Sequence, residues 1–131
     1  MKKLFLSLFL YQLTSSVLAL NWGEYITSND KGRYFVETST IKKNGNLVSF
    51  FVLHNRYKPD LNMQGKKYSS TVSLFEFNCQ NRTARIAISS EYSGQMGKGD
   101  MVSSLNEKTS WQTASSGSTL DTLLYMACRS W

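Results

Sequence analysis

The sequence predicts an α+β domain: an antiparallel sheet of about five to six strands with one C-terminal helix packed on it and disulfide-linked to it. Three observations carry this reading. Short apolar-alternating runs recur between turn clusters from Trp22 to Leu105. The apolar period changes from two to 3.6 only after Ser118. The two cysteines, Cys79 and Cys128, fall in a sheet turn and in that helix respectively.

The first residues belong to export rather than to the fold. Lys2 and Lys3 precede an apolar run from Leu4 to Leu13, and Val17-Leu18-Ala19 supplies the small and modest residues of a signal-peptidase site. Cleavage is expected after Ala19, leaving residues 20–131 as a single domain. The alternative is a membrane anchor, but the run is about half the ~20 apolar residues a spanning helix needs. A lipoprotein would carry cysteine immediately after the cleavage site, where this chain has Leu20. The expected location is the periplasm or the cell surface.

Each element then follows from local signals. Trp22 to Thr27 reads as a strand, the cluster Ser28-Asn29-Asp30-Lys31-Gly32 as a turn, and Arg33 to Glu37 as a second strand. Asn44-Gly45 is a hairpin signal, since a type I′ turn needs positive φ at both central residues. Leu47 to Tyr57 is a long strand apolar on both faces, with Leu47, Phe51 and Leu53 on one and Val48, Phe50 and Val52 on the other. Such a strand is covered on both sides. One cover is the helix, and the other is assigned to a second subunit, with Val48, Phe50 and Val52 as the candidate dimer face.

Lys58 to Lys67 contains the only proline and reads as a loop, and Tyr68 to Asn78 is the next strand. From Arg82 to Tyr92 the alternation places Ala84, Ile86, Ile88 and Tyr92 on one side and Thr83, Arg85, Ser89 and Glu91 on the other. Gly94-Gln95-Met96-Gly97-Lys98-Gly99 is a glycine-rich break before a last strand, Asp100 to Leu105. Trp111 is expected to cap one end of the core. Ser118 is a good N-cap with Asp121 three residues on, and Leu120, Leu123, Leu124 and Ala127 form the stripe of a helix lying on a sheet.

In an exported chain a Cys79–Cys128 bridge would persist, and its 49-residue separation gives about 4 kcal/mol in the chain-entropy model. Two free buried thiols or a bridge between chains are the alternatives. Since the spacing is not Cys-x-x-Cys, the bridge reads as a staple rather than a redox centre.

Little else carries chemistry. The formal charge is +6, and removal of Lys2 and Lys3 leaves 13 basic against 9 acidic residues, a net +4. That balance does not favour nucleic acid. The pairs Lys42-Lys43 and Lys66-Lys67 stand beside turn signals as solvated tips or as a contact surface for an acidic partner. Tyr25, Tyr34, Tyr57 and Tyr68 are assigned to packing within strands. His54 is the only histidine and reads as packed. Ser39-Thr40-Ile41-Lys42 matches Ser-x-x-Lys without the strand-helix context of acylating enzymes. Lys98 is followed by Gly99-Asp100, not by the Ser or Thr of a phosphate loop. No metal site, cofactor or catalytic residue is expected.

Taken in order, Trp22, the segment Tyr34 to Ile41 leading into Lys42-Lys43-Asn44-Gly45, Lys67-Tyr68-Ser69-Ser70, Phe75-Glu76-Phe77-Asn78-Cys79, Tyr92 to Gly99, Trp111 and the Cys128 helix resemble the surface-adhesin protein E family of Gram-negative bacteria. The resemblance covers nearly all of residues 20–131. It implies an antiparallel sheet with a C-terminal helix, and a disulfide at positions matching Cys79 and Cys128. It also implies a non-enzymatic protein that binds host matrix or serum proteins and forms homodimers. A periplasmic accessory protein that binds an envelope or secretion-system component is the alternative, with the same protein-binding character.

Overall fold

The computed structural model describes residue 22 and residues 24–129, so the expected leader, residues 1–19, lies outside the described residues. Eight strands and one α-helix follow in chain order: β1 Glu24–Ser28, β2 Gly32–Val36, β3 Lys42–Asn44, β4 Leu47–Leu61, β5 Lys67–Asn78, β6 Thr83–Tyr92, β7 Met101–Leu105, β8 Gln112–Thr113 and α1 Thr119–Cys128. The eight strands form one antiparallel sheet in the order β1-β2-β4-β5-β6-β7, with β3 also on β4 and β8 also on β6.

The sheet therefore has eight strands rather than five to six. The two additional ones, β3 and β8, are three and two residues long, too short for a period of two to register. β4 also continues through Pro59 to Leu61, where a loop is expected from the sequence. Proline is tolerated there because β4 slips its register against β5 between Asn55 and Asp60, leaving no ladder bond for a missing N–H to break. The β3–β4 turn also departs from expectation. Asn44 pairs with Leu47, so Gly45 and Asn46 are the central residues, and only Gly45 has positive φ (60°). One positive φ at a leading glycine is the type II′ pattern.

One face of the sheet holds the core. Val48, Phe50 and Val52 lie opposite Phe77, Phe75 and Ser73, and Val36 lies opposite Val52. Leu123, Leu124, Met126 and Ala127 of α1 close over them. Phe50 and Phe77 are fully buried with ring centroids 4.8 Å apart, each worth about 1.5–3 kcal/mol in area removed from water. The helix starts where the sequence places it. Ser118 Oγ accepts from Asp121 N at 3.1 Å, and Asp121 Oδ2 accepts from Gly117 N at 3.0 Å.

The Cys79–Cys128 disulfide is present, with Cα atoms 5.4 Å apart. It joins the end of the β5–β6 hairpin to the last residue of α1. Cys79 N also donates to Asn46 O at 2.8 Å, so the staple anchors the β3–β4 turn as well.

The alternation expected in β6 breaks in the middle. Phe75 pairs with Ile86 but Leu74 pairs with Ile88, which leaves Ala87 as a bulge residue. One inserted residue swaps every later side chain to the other face. Ile88 and Tyr92 thus leave the helix face that Ala84 and Ile86 occupy, and Ser89 and Glu91 join it.

Candidate functional site

The ten residues of α1 span about 15 Å, whereas the twelve residues of β5 run about 40 Å. The helix covers only the part of the sheet near Cys79. Beyond it, the faces are dressed by other means, and there the surface chemistry concentrates.

The residues expected as a dimer face are not on the surface. Val48, Phe50 and Val52 are 2%, 0% and 2% exposed, under the helix. Periodicity groups residues onto a face but does not say which face the helix takes. The opposite face is covered in part by the chain itself. The turn at residues 95–97 lies across Leu53 and Val72, so that a Cβ on Gly97 would meet Val72 Cγ2 at 3.4 Å and Leu53 Cδ1 at 3.6 Å. Asn55 Oδ1 accepts from Met96 N (2.8 Å), and Ser70 Oγ accepts from Gly97 N (2.9 Å) while donating to Gly94 O (2.6 Å). The positive φ of Gly97 (72°) and Gly99 (82°) allows this docking, as the glycine pattern leads one to expect.

The four lysines expected as a contact surface are exposed but not together. Lys42 pairs with Ser49 and Lys67 with Leu61, at the two ends of β4. The twelve intervening steps span up to about 40 Å. Trp111 does not cap the core either. It is 36% exposed and stacks on the Arg85 guanidinium, 4.2 Å from the ring centroid, beside the Glu76 carboxylate that Arg85 and Lys108 approach at 3.4 and 3.2 Å.

A different surface is assembled by the β2–β4 register, which sets Gly32 beside Arg56 and Arg33 beside Asn55. The Arg33 guanidinium stands 6.0 Å from the Tyr25 ring centroid and 5.9 Å from that of Tyr57. Those rings are 52% and 50% exposed, so Tyr25 and Tyr57, unlike Tyr34 and Tyr68, are surface residues rather than core. Next to them is a cleft of 320 Å³ lined by the cations Lys31, Arg56 and Lys58, the carboxylates Asp30 and Asp60, and Tyr57. Tyr57 N donates to Lys31 O at 3.0 Å, fixing one wall against the other. Arg56 is held by Asp60 at 3.4 Å and lies 4.8 Å from the Tyr68 centroid. Among the described residues, Lys31, Arg33 and Lys58 form no salt bridge.

With Arg56, these three cations outnumber the carboxylates Asp30 and Asp60 beside them four to two, and this excess, interleaved with two exposed phenols, suits an acidic partner. The rings supply rigid contact area and a hydroxyl, and the cations supply charge-assisted donors for carboxylate or sulfate oxygens. The three cations and two phenols lie on two stretches, 25–33 and 57–58, and no run of sequence shows them adjacent. The only signal for them was the strand pairing itself.

His54 sits behind this surface, stacked on Tyr34 with centroids 4.2 Å apart and planes within 4°. Burial holds its pKa down at about 4, with the charges of Arg56 and Lys31 adding to the effect. A neutral, packed imidazole agrees with the sequence reading. Among the described residues, no helix is long and apolar enough to cross a membrane.

Comparison with known proteins places this fold. A sequence model of the family described as surface-adhesin protein E matches residues 22–129. The structure of Haemophilus influenzae protein E is similar at a TM-score of 0.64 and 16% identity, covering 83% of this chain and 89% of that one. Protein E from non-typeable Haemophilus influenzae gives a TM-score of 0.61 at 18% identity, covering 81% and 76%. No match is found among curated proteins.

Proposed function

This chain belongs to the surface-adhesin protein E family, and we propose that it is an exported, non-enzymatic binding protein that attaches to matrix or serum proteins through the surface around Arg33. The observation that carries this reading is the placement of Arg33 between two half-exposed tyrosine rings, one of which, Tyr57, also lines the cleft that holds Lys31 and Lys58. A modest overall charge becomes effective when its unpaired cations are gathered at one place. Residues 1–19 act as the export signal and are removed.

The test is binding of the exported protein to immobilised matrix and serum proteins, with protease accessibility measured on intact and permeabilised cells. Binding that is lost in a Tyr25→Ala/Tyr57→Ala variant, together with cleavage on intact cells, supports the reading. Binding indifferent to both rings refutes the surface assignment. Protection until permeabilisation refutes attachment to host proteins and favours an envelope or secretion-system component as partner.

A further inference from the structure

The open edge of β7 lies at the opposite margin of the sheet from β1 and β2, and the cleft beside it reaches back to the end of β4, where Leu61 follows the Asp60 of the first cleft and Tyr68 carries Arg56. β7 pairs with β6 on one side only, and among the described residues nothing pairs with its outer side. A bulge at Val102, between the pairs Met101–Tyr92 and Ser103–Glu91, leaves Ser103 to Leu105 as the regular part of that edge. The stretch Met101-Val102-Ser103-Ser104-Leu105 holds no lysine or proline, the residues that commonly guard an open edge.

Directly beside this edge is a cleft of 440 Å³ between β7 and the tip of the β4–β5 hairpin. Its walls include Leu61, Met63 and Leu105, which are 62%, 102% and 53% exposed, and Glu91 also lines it. The hairpin tip is built rigidly. Asn62 Oδ1 accepts from Gln64 N and Lys66 N at 3.0 and 2.9 Å, and Asn62 Nδ2 reaches Glu91 Oε1 at 3.4 Å. Ser103 Oγ donates to the same Glu91 oxygen. Glu91 Oε2 accepts no hydrogen bond among the described residues. Lys66 and Lys67 do not line the cleft.

A carboxylate among three apolar walls matches one kind of side chain, a cation at the end of an aliphatic stem. An open edge beside it matches one kind of backbone, an extended strand. We propose that this cleft receives a Lys or Arg side chain of a partner protein's extended segment, which adds to the sheet beyond β7. The stem lies along Leu61, Met63 and Leu105, the head meets Glu91 Oε2, and the segment's main chain pairs with the outward groups of Ser103 to Leu105. This cleft adjoins the one beside Tyr57 but shares no lining residue with it, and its proposal is tested by residues that the Arg33 surface does not use.

The probes are two capped peptides, Thr-Val-Thr-Lys-Thr-Val-Thr and the same peptide with Glu for Lys, titrated into the isotope-labelled protein recovered after export. The Lys peptide is expected to shift the amides of Glu91 and of Ser103 to Leu105, and to bind about tenfold more tightly than the Glu peptide. Glu91→Gln and Leu105→Lys are each expected to weaken the Lys peptide about tenfold. The second variant adds a like charge at an exposed position and leaves the Glu91 hydrogen bonds in place. No localised shift at millimolar peptide, or equal binding of the two peptides to the unaltered protein, overturns the proposal. If the same amides shift on dilution of the protein alone, a second copy occupies the edge and the proposal is wrong.

Discussion

The Arg33 guanidinium lies 5.9 Å from the ring centroid of Tyr57, a residue 24 positions later in the chain, on the strand that β2 pairs with. Antiparallel pairing makes that contact. Lys31 and Lys58 are brought close in the same way, so the candidate binding surface depends on the register of β2 on β4 being held.

The disulfide supports that scaffold from the opposite end. Reduction, or replacement of Cys79 and Cys128 by Ser, is expected to destabilise the domain by about 4 kcal/mol, a fall in melting temperature of roughly 15 °C or more. Calorimetry with and without reductant checks this. A melting temperature unmoved by reductant would sink the staple account.

Ser70 is expected to hold the turn at residues 95–97 onto the sheet. It is fully buried, and its hydroxyl serves both Gly97 N and Gly94 O. Ser70→Ala leaves both groups without that partner and should cost about 1–3 kcal/mol. Amide exchange at Gly97 should accelerate while exchange in β4 near Phe50 changes only with global stability. Unchanged protection at Gly97 would show that apolar contact with Leu53 and Val72 suffices.

Stability should fall on mild acidification, and His54 is one cause. Its folded pKa is lowered from 6.5 to about 4, so between those values the unfolded chain takes up more protons than the folded one. The contribution is fully present above pH 6.5, is lost as pH falls towards 4, and levels off below that. His54→Phe keeps a ring to stack on Tyr34 and should flatten the difference in denaturation midpoint between pH 7 and pH 4.5. An equally steep variant would assign the acid sensitivity to carboxylates.

Much of this architecture was legible because single residues carried it. Ser118 with Leu120, Leu123, Leu124 and Ala127 fixed the helix, and the two cysteines fixed what it is tied to. The Tyr68 to Asn78 and Arg82 to Tyr92 runs located two central strands. What was not legible depends on pairings between distant segments. A period of two says that Val48, Phe50 and Val52 share a face, but only the docked helix makes that face the core. An alanine in a run of alternating residues gives no sign of being a bulge, yet Ala87 moves Ile88 and Tyr92 to the other side. Adjacent lysines drew attention as a contact surface, whereas Lys31, Arg33 and Lys58 are gathered by register alone.

If binding runs through the Arg33 surface, it should depend on Lys31, Arg33 and Lys58 and not on the lysine pairs at 42–43 and 66–67. Affinity for an immobilised matrix or serum protein that the unaltered protein binds is measured across a range of salt for two variants. One is Lys31→Glu/Arg33→Glu/Lys58→Glu, and the other is Lys42→Ala/Lys43→Ala/Lys66→Ala/Lys67→Ala. The first is expected to bind about tenfold or more weakly, with a shallower salt dependence, and the second to change little. Unaltered binding by the first variant, or loss confined to the second, would move the binding surface away from Arg33.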